Sequence, residues 1–231
     1  MSPSVALCLT IGRRPILLRQ TLESLLPIAT FQQIIAVNDF GDAESNEVFK
    51  ELCPSGILIN LGVHMGHHRA VDAMYSKVET PFILHCEDDW LFVSKLELDD
   101  AIRLLQSTPT IGSVCLRKVS DFSFTENEAK MTVFHEKSGV KYRRLDGMHD
   151  QWHGFTFNPH IISIDEWKKI GPYSNFKKER HISRKFRGFG KYVAYLEAGS
   201  CIHIGQEESI SNPKKASIFS IGGLLLKFFK T

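Results

Sequence analysis

Short apolar runs alternate with segments of helical periodicity along the first ninety residues. Residues 5–10, VALCLT, read as a buried strand that stops at the turn Gly12-Arg13-Arg14-Pro15. Leu17, Leu18, Thr21, Leu22, Leu25 and Leu26 then recur at helical spacing. Pro15 suits the first turn of that helix, where a missing N–H costs nothing. A second strand is expected over residues 34–37, ending in Asn38-Asp39-Phe40-Gly41-Asp42, followed by a helix over 44–52 and a third strand over 57–60. The turn-rich loop of residues 62–68 leads into a helix over 69–77. Thr80-Pro81 restarts the chain. Residues 82–86 make a fourth strand, apolar except for His85, that runs straight into Glu87-Asp88-Asp89-Trp90.

Strands alternating with helices predict a parallel, doubly wound α/β sheet. Ligands bind such sheets outside the carboxyl ends of the strands. Three of these ends are polar: Thr10 to Arg14, Asn38-Asp39, and Glu87 to Asp89. The pattern therefore gathers them on one rim.

The second half is less regular. An amphipathic helix is expected over 96–105 and a strand over 112–116. Residues 120–150 are polar and mixed and suit a hairpin with loops. Strand pieces are expected over 152–158 and 161–164 around Pro159, and a short helix over 165–170 with Asp165 as its N-cap. A further helix is expected over 178–186, with short strands over 193–196 and 201–204. No internal repeat is evident.

The 231 residues, 43% hydrophobic and 23% charged, can bury a real core in one α/β domain. A net charge of +2 makes no electrostatic case for nucleic acid. The nearest thing to a basic cluster, residues 177–187, also contains a glutamate and a histidine. Five cysteines, an odd number with no CxxC pair, read as buried thiols and favour a reducing cytoplasm. The opening MSPSVALCLTIGRR has too short an apolar core for a signal peptide, and its charges follow that core. No run approaches the about 20 apolar residues that span a bilayer.

Glu87-Asp88-Asp89 is the strongest chemical signal. Three adjacent carboxylates at the end of a buried strand repel one another unless a cation or solvent compensates. A hard divalent cation takes oxygen ligands and leaves positions for substrate phosphates. If the chain stays extended, Glu87 and Asp89 share a side and Asp88 opposes them. His64, His67 and His68 invite a zinc reading, but Gly66 between them points to a loop, with Arg69 nearby to meet charge. His203-Ile204-Gly205 is the second signal, because a late histidine can complete a carboxylate site, particularly for manganese.

In order and content, these residues resemble the nucleotide-binding half of GT-A glycosyltransferases, especially the inverting family-two type. The likeness runs through Thr10-x-Gly12-Arg13-Arg14, Asn38-Asp39, Gly62-x-x-x-Gly66 and a strand ending in an acidic motif. The family's motif is usually Asp-x-Asp. Here it is Glu-Asp-Asp, a form similar to that of the eukaryotic N-acetylglucosaminyltransferases of the GT-A class. The resemblance implies a GT-A-like, Rossmann-like α/β fold: a mostly parallel sheet flanked by helices, with a smaller acceptor-binding part.

It also implies a divalent metal, Mn2+ or Mg2+, with Asp89 a direct ligand, Glu87 supporting the site and His203 on the metal or the diphosphate. Thr10 and Arg13 would hold the nucleotide, with Arg14 the competing choice. Asp39 would meet its base or ribose, Asp88 would lie near the ribose, and Gly66 and Arg69 would line its approach. The stretch after Arg69 departs from the family's Ala-x-Asn, since Ala70-Val71-Asp72 carries an aspartate.

An inverting transferase needs a carboxylate base for the acceptor hydroxyl. The resemblance points to Glu179, with Asp150 as runner-up, and the basic neighbours of Glu179 are expected to keep it ionised. Trp90, Trp152 and Phe155 suit either a sugar-ring platform or the core.

The expected organisation is a nucleotide-sugar-binding part over residues 1–110, an acceptor-binding and catalytic part over 111–212, and an amphipathic tail over 213–231. The tail alternates apolar residues with lysines and suits docking on the domain or peripheral membrane contact. The expected activity is transfer of a sugar from a nucleotide-sugar, a UDP-sugar first, to a glycan or other hydroxyl acceptor. A sugar-phosphate nucleotidyltransferase would need a Gly-rich phosphate loop that residues 9–13 lack. A non-catalytic nucleotide-sugar-binding module is the other alternative.

Overall fold

The computed structural model describes residues 4–148 and 154–205. β1 (Val5–Ile11), α1 (Pro15–Leu25), β2 (Gln33–Asn38), α2 (Ala43–Leu52), β3 (Ile57–Asn60), α3 (His67–Tyr75) and β4 (Phe82–Glu87) follow one another as the periodicity predicts. The second half contributes β5 (Trp90–Phe92), α4 (Leu98–Ser107), β6 (Ile111–Cys115), α5 (Glu126–Met131), β7 (Val133–Lys137), β8 (Val140–Arg144), β9 (His160–Ser163), α6 (Ile164–Ile170), α7 (Glu179–Gly188), β10 (Tyr192–Leu196) and β11 (Cys201–His203).

Nine strands form one sheet in the order β3-β2-β1-β4-β9-β6-β10-β8-β7. The first four are parallel, with Thr10 opposite both Val37 and Glu87, and Asn38 opposite Asn60. That register aligns their carboxyl ends. The sheet as a whole is mixed, because β9 lies antiparallel between β4 and β6 and the β7–β8 hairpin closes the far edge. The whole is an α/β sheet flanked by helices.

Alternation along β1 explains the layering. Val5, Leu7, Leu9 and Ile11 face a core built with α1, α2 and α4, while Ala6 and Cys8 face α3, α6 and α7. Leu18 and Leu22 are fully buried, each worth roughly 1.5–3 kcal/mol of transfer free energy. All five cysteines are buried free thiols. Burial pushes Cys53 up to about 11 and Cys115 up to about 12, so neither forms thiolate readily.

Three local expectations need correction. Residues 154–158 form no strand, and only His160–Ser163 pairs in the sheet. Ser163, not Asp165, caps α6: its hydroxyl accepts from Glu166 N at 3.1 Å from an extended backbone. Asp165 lies in the first turn, where its charge suits the positive end of the helix dipole. Within 120–150 a short helix, α5, precedes the hairpin, closed by a capping box between Thr125 and Glu128. Among the described residues no helix is long and apolar enough to cross a membrane. Asp150, Trp152 and the tail over 213–231 lie outside the described residues.

Candidate active site

The aligned strand ends open onto a cleft lined, among others, by Thr10, Gly12, Arg14, Asp39, His64, His67, Glu87 and Asp88. Residues from all three polar strand ends therefore meet on one rim.

β4 stops at Glu87, and Asp88-Asp89 form a turn before β5. The alternation expected of an extended chain ends there, and this corrects the opposed placing of Asp88. Both aspartates turn to one partner: Arg14 binds Asp88 Oδ1 through Nη2 and Asp89 Oδ2 through Nη1, the latter at 2.5 Å. The Gly12 amide donates to Asp88 Oδ2 at 3.0 Å. A Cβ at Gly12 would stand 2.5 Å from the Phe40 ring, so this close approach requires glycine.

Burial pushes Asp88 up to about 7, against the pull of Arg14 and the Gly12 amide. Burial also raises Asp89, but the hydrogen bond from His203 and the charge of Arg14 outweigh it and hold that carboxyl below the usual range. Glu87 is driven well above the usual range by burial, then by Asp89, Glu179 and Asp88, against Arg14.

Of the two arginines, Arg14 lines the cleft. Arg13 is exposed, has a positive φ of 60°, donates its backbone N–H to Asp42 at 2.8 Å and lays its guanidinium over Phe40 at 4.6 Å.

His203 reaches the acidic turn through a ribbon that periodicity did not reveal. β11 pairs antiparallel with β5, setting His203 opposite Trp90, and the Ile204 amide donates to Asp89 O at 2.9 Å. His203 Nε2 lies 3.0 Å from Asp89 Oδ2. Its backbone N–H donates to Asp121 Oδ2 at 3.3 Å, and Asp121 is held by Arg117 at 2.8 Å. A Cβ on Gly205 would stand 2.3 Å from Asp89 Oδ2. That glycine was visible in the sequence, but its role appears only with the ribbon in place.

Asp39 organises the neighbouring loop. Its oxygens accept from Met65 N at 2.7 Å and Gly66 N at 3.0 Å, and His64 Nδ1 lies 2.8 Å away. His64 also stacks on Phe40, with ring centroids 4.7 Å apart. Gly66 opens α3 at φ 93° with open space where a side chain would be. Arg69 is exposed on the first turn. Asp72 braces the fold, accepting from Trp167 Nε1 at 3.1 Å and from the amides of Tyr173 and Ser174, both at 2.8 Å.

The three histidines do not converge. His67 packs on Phe157 at 4.4 Å, and His68 Nδ1 lies 2.5 Å from Phe176 O. Burial, helped by His68, brings His67 down to about 4 against the pull of Asp89, so a neutral imidazole lines the cleft.

Glu179 begins α7 and points inward. Its carboxylate accepts from the Thr156 hydroxyl and the Phe157 amide, and burial outweighs both to raise its pKa. The expectation that basic neighbours set its charge is corrected: burial dominates. Glu179 also lies close enough to raise Glu87, so it stands within electrostatic reach of the acidic motif. Trp90 and Phe155 are fully buried, which makes them core rather than a sugar platform.

Asp89 Oδ1 is buried with no hydrogen-bond partner among the described residues. Two carboxylates, an imidazole and one orphaned buried oxygen suit a hard or borderline divalent ion. Among the described residues no three His, Cys, Asp or Glu groups already converge to hold one.

No family model and no curated protein matches the chain. Solved structures do. The chain is similar to the mannosyltransferase PcManGT from Pyrobaculum calidifontis in complex with GDP-Man and Mn2+, at 13% identity and a TM-score of 0.66, covering 90% of this chain and 59% of that one. It is similar to GalNAc-T7 with UDP, GalNAc and Mn2+, at 11% identity and a TM-score of 0.64, over 87% of this chain and 44% of that one. It is also similar to TarS 1-349 of S. aureus, at 12% identity and a TM-score of 0.61, over 88% of this chain and 61% of that one. The chain thus spans about half the length of these proteins. Likeness at such identity establishes architecture, and this chain has the GT-A fold of glycosyltransferases.

Proposed function

We propose that the chain is a metal-dependent glycosyltransferase that moves a sugar from a nucleotide-sugar to an acceptor hydroxyl, with inversion at the anomeric carbon. The observation that carries this reading is the joining of His203 to Asp89, at 3.0 Å, beside a cleft at the strand ends of a GT-A fold. The ligands named for the similar structures, GDP-Man and UDP with GalNAc, each with Mn2+, support a nucleotide-sugar donor and a divalent ion.

Asp89 and His203, with Glu87 beside them, would hold Mn2+ or Mg2+, which would supply positive charge against the departing diphosphate. Thr10, Arg13, Asp39, Asp88, Gly66 and Arg69 form the nucleotide side. Asp39 acts through the loop it fixes, and the open, positive-φ Gly66 lets a ligand approach the backbone. Glu179 takes the proton of the acceptor hydroxyl. A half-buried carboxylate with a raised pKa is a stronger base than a solvated one, provided it is ionised at the working pH. Residues 1–110 then serve the donor and 111–212 the acceptor. The five buried thiols support a reducing, cytoplasmic setting.

Calorimetric titration with UDP and with GDP, each with and without Mn2+, tests this reading, followed by a panel of nucleotide-sugars. The expected result is nucleotide binding that needs Mn2+ in the parent and is lost in a folded Asp89→Ala variant. Equal affinity in that variant would refute the metal assignment.

A further inference from the structure

We propose that Arg14 is a resident counter-cation of the acidic pair: the divalent ion must displace its guanidinium, which then serves the diphosphate. Metal and nucleotide binding are thereby coupled through one side chain. The proposal rests on the metal reading above.

Three observations carry it. First, Arg14 holds one oxygen of each aspartate and, among the described residues, leaves Asp89 Oδ1 unengaged, so an ion seated between Asp89 and His203 meets the guanidinium at Asp89 Oδ2. Nη1 is on Asp89 Oδ2 and Nη2 on Asp88 Oδ1, while Asp89 Oδ2 also faces His203 Nε2. A guanidinium and a divalent ion cannot both hold that one oxygen, and two cations so close repel each other in a buried site.

Second, the exchange needs only side-chain torsions. Arg14 precedes Pro15 at the start of α1, its carbonyl accepts from Leu18 N at 2.9 Å, and the Arg13 amide is tied to Asp42. The Arg14 backbone is therefore fixed. Among the described residues its buried Nε has no partner, so there Nη1 and Nη2 alone tether the guanidinium.

Third, a displaced guanidinium stays in the cleft with few acidic partners. Of the other carboxylates lining it, Asp39 is already engaged by Met65 N, Gly66 N and His64, which leaves Glu87. The planar fork is suited to phosphate oxygens. Positive coupling follows, since the ion provides its own charge and also releases that of Arg14.

The test compares the parent with Arg14→Gln, using Mn2+ alone and then UDP and GDP with and without Mn2+. Arg14→Gln is expected to bind Mn2+ alone about tenfold or more tightly than the parent, within the usual range of coupling between sites. The gain in nucleotide affinity on saturation with Mn2+ should shrink by a similar factor. Mn2+ should also raise the melting temperature of the variant more than that of the parent, because the ion replaces a missing charge.

Equal Mn2+ affinity in both chains overturns the proposal and leaves the metal reading standing. If neither chain binds Mn2+ at millimolar concentration, both fall together. Should Arg14→Gln fail to fold, Arg14→Lys decides. It keeps the charge but cannot fork across two carboxylates, so a tighter Mn2+ affinity than the parent supports the proposal and an unchanged one overturns it.

Discussion

His203 Nε2 stands 3.0 Å from Asp89 Oδ2, although the two residues are 114 positions apart. The pair is held by backbone as well as side chain. The short β5–β11 ribbon aligns His203 with Trp90, and Ile204 N donates to Asp89 O at 2.9 Å. The imidazole is therefore fixed against the carboxylate before any ligand arrives, so little ordering is required when one binds.

His203→Ala is expected to weaken binding of UDP and GDP in Mn2+ far more than binding of the free nucleosides, because the imidazole serves the metal and diphosphate side of the site. Calorimetry on the four ligands checks this. Equal weakening of nucleoside and diphosphate, or none of either, would count against the assignment.

Gly205→Ala tests the same site without removing any functional group. Its new Cβ would lie 2.3 Å from Asp89 Oδ2 and 2.7 Å from Asp89 Cβ, so the carboxylate must move. Overpacking of this kind costs about 1–3 kcal/mol of stability. The expected outcome is a folded protein whose Mn2+-dependent nucleotide affinity drops at least about tenfold, the equivalent of 1.4 kcal/mol. Parent-like affinity in that variant would show that the position of Asp89 does not matter.

Glu179→Gln should keep parent affinity for the nucleotide-sugar and lose about 100- to 10,000-fold in turnover, the usual span for a general base. The base acts in its ionised form. Because burial raises the Glu179 pKa, parent turnover should rise as pH climbs through that raised value, and the glutamine variant should lack this limb. Asp150→Asn should show a smaller loss. An active Glu179→Gln beside a dead Asp150→Asn would exchange the two roles.

His160 provides a test of pH and stability away from the site. It is fully buried, its Nδ1 donates to Asn158 O at 2.8 Å, and burial holds its pKa down at about 4 from the usual 6.5. Between those values the unfolded chain binds a proton that the folded chain refuses. Its contribution to stability is thus complete above pH 6.5 and lost progressively as pH falls toward 4. That gap corresponds to about 3 kcal/mol, of which about 2 kcal/mol is gone at pH 5. Urea unfolding at pH 7.5 and pH 5 should show a smaller acid loss for His160→Phe than for the parent. Identical losses would mean that His160 does not carry the effect.

The sequence determined the elements of the first half and their shared rim, because the signals for them are local. Strand and helix periods lie within single segments, and Pro15 marks a helix start without reference to distant residues. The acidic run at the end of β4 was legible for the same reason. Tertiary structure decided how those residues meet. The turn at 88–89 broke the period-two alternation and brought Asp88 and Asp89 onto Arg14, more than 70 positions away. The β5–β11 ribbon, too short to leave a periodic signal, carried His203 to Asp89. Glu179 looked solvated among lysines and arginines, yet α7 packs so that the carboxylate turns inward to Thr156 and Phe157. Burial and partnership across such separations depend on which surfaces pack together, and no local pattern of apolar and polar residues encodes that.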